Sequence, residues 1–473
     1  MKLSLRTKIV TLCLLGIFTC LEAEEVPFTI ATGLYDETKS ETLGLDYAEG
    51  TETVTIFAPT ETTDKFSNGV VMTSFKGNLY CMWQSSAKDE DAVDTWVAYS
   101  RSTDGGKTWT APMVLAETLE NGYCSSGGWL ATENILVAYI NTWPGGLSPK
   151  GGYTRYITSE DGMNWSQPAD VKMADGTTMN AIFEQDPHVL SDGRIVNSAH
   201  FQPGLKIYPI YTDDPMGVTG WKKGDFSYTP NGDQSRELEP SLYQKADGTL
   251  VMVFRDQKST FKKMAAVSKD RGETWTKAVV TDFPDSRSKQ SAGNLPDGTV
   301  YTASNPVNNK TRIPLALTLS KDGNHFDKAW LLRAGGADLQ AQRYEGTAKR
   351  ACYSYPKSMV AGEYLYVAYA TNKEDVEYTR VPLASIQMNA ESVSAMKQYA
   401  EAIYVTDKCV LNVALPKSQA MHISVYNVAG GCVANLDAQG TFASWNLDEI
   451  PEGIYIVRVK TANGILARKV SIR

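Results

Sequence analysis

Ser102-Thr103-Asp104-Gly105-Gly106-Lys107-Thr108-Trp109 reads S-x-D-x-G-x-T-W, and Ser268-Lys269-Asp270-Arg271-Gly272-Glu273-Thr274-Trp275 reads the same. Two copies are one residue shorter: Ser159-Glu160-Asp161-Gly162-Met163-Asn164-Trp165 and Ser320-Lys321-Asp322-Gly323-Asn324-His325-Phe326. A degenerate fifth starts at Thr212-Asp213-Asp214 and ends at Trp221. The motif has the chemistry of a turn. Asp accepts backbone N–H groups, Gly supplies positive φ, and the terminal aromatic packs the turn against its sheet. It is structural, and no reaction is placed on it.

Successive copies start about 50 to 57 residues apart, a period that points to propeller blades. A second signal recurs out of phase with the first. Its copies are Lys76-Gly77, Glu133-Asn134, Asp192-Gly193, Asp247-Gly248, Asp297-Gly298 and Gly362-Glu363, each leading into an apolar strand. Six hairpins predict an all-β, six-bladed β-propeller over 25–386. A pair of β-sandwiches would carry as many strands, but not the fixed period.

Working outward, Lys2, Arg6 and Lys8 precede a short apolar run, Ile9 to Leu21, and Leu21-Glu22-Ala23 offers a cleavage point. Residues 1–23 read as a secretory signal peptide, too short in its apolar part to span a bilayer comfortably. An uncleaved anchor is the alternative, and Phe18-Thr19 before Cys20 matches a lipid-attachment motif poorly. No other segment is apolar enough to cross a membrane. Five scattered cysteines remain after the leader; Cys409 and Cys432 either pair or stay as buried thiols. A polar linker, 387–402, with helical character from Asn389 to Ala402, leads to alternating strands over 403–473 that predict a small C-terminal β-sandwich.

Composition bounds the function. Of 473 residues 42% are hydrophobic and 21% charged, which excludes disorder as the main state. A net charge of −8 disfavours a nucleic-acid partner. Tyr (24), Trp (10) and Gly (37) suit short strands, tight turns and surfaces on which sugars stack, whereas 4 His leave little for a His-rich metal site.

The Asp-bearing turns, with the residues that follow, resemble the sialidase (neuraminidase) superfamily over about Phe66 to Tyr378. That resemblance implies a secreted, bacterial exo-α-sialidase-type glycoside hydrolase. It would remove a terminal sialic acid or related acidic sugar from sialoglycoconjugates or other acidic-sugar glycans, with no cofactor and no metal in the chemistry. Family members attack with a Tyr activated by a Glu, protonate the leaving group with an Asp, and grip the substrate carboxylate with three Arg. A neutral Tyr avoids the repulsion an anionic nucleophile would meet beside that carboxylate. Arg suits the grip because its planar fork binds carboxylate bidentately.

Glu239-Pro240, leading through Asp247-Gly248 to Arg255, resembles the family's base segment; it implies Glu239 as base and Arg255 as a carboxylate ligand. Asn305-Pro306 followed by Arg312 resembles the next arginine segment. Cys352-Tyr353-Ser354-Tyr355-Pro356 resembles the nucleophile segment and implies Tyr355, with Tyr353 two residues away on the same strand face. Lys88-Asp89-Glu90-Asp91 resembles the acid/base loop and implies Asp89, with Asp91 a near rival. Glu184-Gln185-Asp186-Pro187-His188 holds the repeat position equivalent to Glu239-Pro240, which places Glu184 and His188 in the substrate pocket. One departure stands out: where the family opens with F-R-I-P, this chain has Phe66-Ser67-Asn68-Gly69-Val70, without the first Arg. Lys65, Arg155 or Arg194 are candidates to replace its charge.

The C-terminal pieces Ile423-Ser424-Val425-Tyr426-Asn427 and Gly453-Ile454-Tyr455-Ile456-Val457, with the basic final strand, resemble the sorting domain of type IX secretion cargo. This implies the secretion machinery as a partner, transit through the periplasm, and a secreted or cell-surface protein. An Ig-like accessory or carbohydrate-binding module would show a similar strand pattern. On the same scaffold, a glycosidase for a different sugar using Glu184, Asp186 or His188, or a non-catalytic glycan-binding propeller, are the rival functions.

Overall fold

A computed structural model describes residues 26–227, 237–257, 260–389, 403–405, 409–461 and 464–472. The expected leader, most of the linker and its helical stretch lie outside these residues. Among the described residues the chain is all-β apart from a 3-10 turn, Gly336–Asp338, and one helical turn, Leu383–Ile386.

Six antiparallel sheets follow one another. The first holds Phe66–Phe75, Asn78–Ser86, Trp96–Ser102 and Met113–Ala116; the second, Gly122–Ala131, Leu136–Pro144, Tyr153–Ser159 and Ala169–Asp170. The third has a split first strand, Ala181–Phe183 and His188–Val189, then Ile195–Phe201, Lys206–Thr212 and Lys222–Lys223. The fourth is Glu237–Gln244, Leu250–Asp256, Lys262–Ser268 and Val279–Pro284; the fifth, Ser291–Asn294, Val300–Ser304, Leu315–Ser320 and Lys328–Arg333. The sixth takes Tyr353–Ala361, Tyr364–Thr371 and Asp375–Pro382 from late in the chain, and its outer strand, Glu52–Phe57, from before the first sheet. Each of the six predicted hairpins joins the first and second strands of one sheet.

The Asp-bearing turns join the third strand to the outer strand of sheets one to five. The sixth sheet has none because its outer strand arrives from the N-terminal side. In each turn the Asp is satisfied locally: Asp104 accepts bonds from Ser102 Oγ at 2.8 Å, Lys107 N at 3.0 Å and Thr108 N at 2.9 Å. The degenerate copy works the same way, with Asp214 accepting from the amides of Met216, Val218 and Thr219.

These turns also tie neighbouring sheets together. Tyr80, Tyr139 and Tyr243 donate their hydroxyls to Asp161 O, Gly217 O and Gly323 O in the turn of the following sheet. Tyr378 of the sixth sheet donates to Gly106 O in the first. A Cβ on Gly162 would lie 2.1 Å from Tyr80 Oη, and the residue has φ +72°, so both close approach and conformation demand glycine. Shared apolar cores repeat the order. Val71 and Trp129 join sheets one and two, Tyr139 and Phe183 two and three, and Val196 and Met252 three and four. Tyr243 and Ala292 join four and five, Leu317 and Val367 five and six, and Val70 and Ala368 six and one.

The C-terminal strands form one connected five-stranded sheet that folds on itself, with Arg468 Nη1 of the last strand donating to Ile403 O of the first at 2.7 Å. Val410–Asn427 is long enough to pair with Cys432–Asn446 along one edge. Its other edge takes Ile403–Val405 near its start and Gly453–Thr461 near its end, on either side of a register shift between Ala414 and Gln419. Leu411, Ile423, Val457 and Ile472 share its core. Cys409 and Cys432 are not bonded to each other.

Candidate active site

The first strand of a sheet should pair regularly, but here it breaks register near its start in four of the six. The shifts fall at Asn68/Val71, Ser126/Gly128, Leu238/Ser241 and Ser354/Lys357. Positive φ marks each: Gly69 (+60°), Gly128 (+122°), Glu239 (+48°) and Tyr355 (+56°). In the third sheet the strand is interrupted at 184–187, and in the fifth Lys289 lies just before the strand begins. A bulge leaves a residue unpaired and re-aims its side chain. The left-handed backbone at Glu239 and Tyr355 costs about 1–3 kcal/mol each and needs surrounding structure to hold it. As a result Gly69, Ser126, Glu184, Glu239, Lys289 and Tyr355, one from each sheet, line a single cavity of about 290 Å³.

Ion pairs organise its wall. Arg255 Nη1 donates to Glu239 Oε2 at 2.7 Å, and the same guanidinium is close enough to Tyr355 to act on it electrostatically. Lys289 Nζ donates to Glu184 Oε2 at 2.5 Å. Burial would raise the pKa of Glu239, but Arg255 and Lys289 outweigh it and hold the carboxyl below its ordinary value. Lys289 is likewise opposed by burial, yet Glu184 and Glu239 keep it charged. Three cations surround the Tyr355 ring: Arg312 Cζ at 4.7 Å from its centre, Lys289 Nζ at 5.1 Å and Lys373 Nζ at 5.6 Å. His200, buried with neither ring nitrogen bonded, feels Glu184, Glu239, Lys289 and Arg255; burial holds it neutral.

The predicted residues fall into three groups. Tyr355, Glu239 and Glu184 line the cavity. Arg255 and Arg312 lie directly against two of these lining side chains, Glu239 and the Tyr355 ring. Asp89 and His188 are elsewhere. The Asp89 carboxylate accepts the Thr347 amide at 2.6 Å, a bond that lowers its pKa, while its neighbours Glu90 and Asp91 line the cavity. His188 sits past the strand interruption, at the hairpin end of the third sheet beside Leu242 and Tyr243, where burial lowers its pKa to about 4. Tyr353 does not share a face with Tyr355. The bulge separates them, and Tyr353 is fully buried, donating to Ala334 O at 2.7 Å.

Where the opening arginine would stand, Asn68 Nδ2 donates to Glu90 Oε1 at 3.0 Å, and Lys373 pairs with Glu90 at 2.6 Å. Lys65, Arg155 and Arg194 do not supply its charge. They are bound to Glu61 O, to Asp170, and to Asp213 with Glu273, respectively. Sequence reading missed Lys150, Lys289, Lys357, Lys373 and His200, because each belongs to no repeat. It also missed Tyr123 and Trp143, stacked 5.8 Å apart in the cavity wall with Lys150 over both rings. Lys357 alone carried a signal, two residues beyond Tyr355 in one strand. A larger cleft, about 810 Å³ and lined in part by Phe28, Lys245 and Lys277, contains no candidate site residue.

Comparison with known proteins matches residues 77–367 to the BNR repeat-like domain and residues 406–473 to the secretion system C-terminal sorting domain. A sialidase of Bacteroides fragilis (strain YCH46) is 27% identical over 298 residues, 54% of this chain and 52% of that protein, so the chain spans about half the length of this relative. Among solved structures, a protein of unknown function from Dyadobacter fermentans has a TM-score of 0.55 at 16% identity, covering 71% of this chain and 99% of that one. Trypanosoma rangeli sialidase has a TM-score of 0.55 at 11% identity, covering 89% of each. Likeness at these identities speaks for the fold alone. The family match, covering more than half of the chain, adds the lineage: this chain belongs to the BNR repeat-like domain family of the sialidase superfamily.

Proposed function

We propose that the protein is a secreted glycoside hydrolase of sialidase type, a six-bladed propeller whose axial pocket releases a terminal acidic sugar from glycans. One observation carries this reading: Glu239, bonded to Arg255, and Tyr355, ringed by Lys289 and Arg312, line one pocket to which all six sheets contribute. The cyclic order of shared cores and Tyr-to-turn bonds supports the propeller, and the sorting domain supports export.

In this mechanism Tyr355 Oη attacks the anomeric carbon while Glu239 takes its proton. The negative charge given up by Glu239 passes through the phenolic oxygen to the departing oxygen, where the proton of the acid neutralises it. The bond to the leaving oxygen breaks as that oxygen is protonated. We assign this proton to Asp91, which lines the cavity half-exposed and bonded to Lys150 at 2.7 Å, in place of Asp89. Asp91 then deprotonates water, which displaces Tyr355, and Glu239 returns the proton to the phenol.

A second reading, the same chemistry on a different sugar, is favoured by Asn68 standing where the family places an arginine. The deciding experiment is release of a fluorescent aglycone from an α-sialoside by mature protein, beside Tyr355→Phe and Glu239→Gln. Turnover lost in both variants is the expected result; no turnover by the wild type overturns sialidase activity.

A further inference from the structure

The charges that line or flank the cavity do not balance. With Asp91 ionised, before it takes up the proton used in catalysis, four pairs are matched: Arg255 with Glu239, Lys289 with Glu184, Lys373 with Glu90, and Lys150 with Asp91. Two cations remain, Arg312, whose Nη2 donates to Arg287 O, and Lys357, which has one further carboxylate, Asp186, in electrostatic reach. Arg312 lies against the Tyr355 ring with Nε and Nη1 buried and without acceptors. Lys357 lines the cavity on the Tyr355 strand and is 2% exposed; among the described residues no hydrogen bond or ion pair satisfies its ammonium. Asp186 is close enough to Lys357 to act on it electrostatically, but one of its oxygens already accepts the Trp129 amide at 2.9 Å. An ammonium held out of bulk water without a protein partner is costly, and Lys357 meets only the cavity, so what fills the cavity must satisfy it.

We infer that Lys357 is the cavity's anion ligand: it holds a single negatively charged oxygen group on the terminal sugar beside Tyr355, taking over the role for which an arginine is missing at Asn68. This rests on the pocket assignment above and extends it to specificity. An ammonium is a compact point charge with three rotatable donors, whereas guanidinium is a planar fork matched to planar carboxylates. A lysine ligand therefore accepts a tetrahedral sulfate ester as readily as a carboxylate. The fall in the Lys357 pKa to about 8, caused by burial and only partly countered by Asp186, agrees with a site completed by an anion.

The test is calorimetric binding to two matched pairs: methyl α-N-acetylneuraminide against its methyl ester, and N-acetylglucosamine 6-sulfate against N-acetylglucosamine. Wild-type protein should prefer the charged member of at least one pair by about 10-fold or more, the scale on which a charge-assisted hydrogen bond acts. Lys357→Met should erase that preference and leave binding of the neutral member unchanged. Lys357→Arg should restore it for carboxylate more than for sulfate. The pair that shows the effect identifies the anion. No preference in either pair, or a preference that survives Lys357→Met, overturns the assignment, as does equal weakening of charged and neutral ligands. The two readings fail separately. Lys357-dependent binding without turnover of any charged glycoside removes the hydrolase and leaves the ligand. Turnover of the α-sialoside with KM unchanged in Lys357→Met does the reverse.

Discussion

Asp270 and Glu239 belong to the same sheet and are held in opposite ways. Asp270 takes all its bonds from within seven residues: Ser268 Oγ at 2.8 Å, Thr274 N at 2.9 Å and Thr274 Oγ1 at 2.6 Å. Glu239 is bonded to Arg255 across the sheet and sits among Lys289 of the fifth sheet, Tyr355 of the sixth and His200 of the third. One carboxylate closes a turn that would form in any sheet. The other exists as a site only after four sheets have assembled, and strained backbone at +48° holds it there. The rim satisfies its polar groups locally; the centre leaves charge for something else to satisfy.

The sharpest way to test that contrast is to remove each carboxylate. Glu239→Gln should lower turnover by about 10²–10⁴-fold, the range for loss of a general base, with the fold retained by circular dichroism. Asp270→Ala should leave kcat/KM unchanged and lower the melting temperature. Equal kinetic effects from the two would break the distinction. A second comparison lies within one loop. Asp91→Asn should slow a substrate with a poor leaving group about 100-fold, and an activated aryl glycoside much less. Asp89→Asn, whose carboxylate caps Thr347, should leave both rates intact. If Asp89→Asn is the damaging change, the acid assignment reverses.

The same division decides what the sequence disclosed. The turns were legible because S-x-D-x-G-x-T-W encodes its own hydrogen bonds, and even the degenerate copy at Asp214 forms them. The six hairpins were legible for the same reason. Tyr355 and Glu239 were found through resemblance to family segments, not through any period. Asp89 and His188 were misplaced because a one-residue step in a loop, or an interruption of a strand at 184–187, changes which side chain reaches the cavity. Pairing alone does not reveal such steps. Lys289 and Lys373 come from separate places in the chain, and only assembly brings them against the Tyr355 ring. At the C-terminus the alternation of Gly453–Thr461 was read correctly, but not that one 18-residue strand would serve two partners along the same edge.

Lys357 also makes a stability prediction, smaller than the kinetic ones. Its pKa falls from 10.5 to about 8 on folding because burial penalises the ammonium. Between those values the unfolded chain binds more protons than the folded one, so stability rises with pH there, and the penalty is fully present below pH 8. Lys357→Met should therefore be more stable than wild type by about 1–3 kcal/mol at pH 7, with the gap closing from pH 8 towards 10.5. Urea titrations at pH 7 and pH 10 measure it. A wild-type protein more stable than the variant at pH 7 would show that Lys357 is already neutralised inside the fold.

The smallest effect is expected where the rim joins sheet to sheet. Tyr243 is fully buried, and its hydroxyl donates to Gly323 O at 2.7 Å, linking the fourth sheet to the turn of the fifth. Tyr243→Phe keeps the ring against Phe28 and Phe326 and removes only the hydroxyl. The lost bond should cost about 1 kcal/mol, seen as a lower urea midpoint with an unchanged slope. Activity should not move, because the bond lies at the rim and the cavity depends on the opposite ends of the first strands. If kcat/KM falls with stability, the joints between sheets also set the geometry at the centre, and the division between a self-sufficient rim and an assembled site is too sharp.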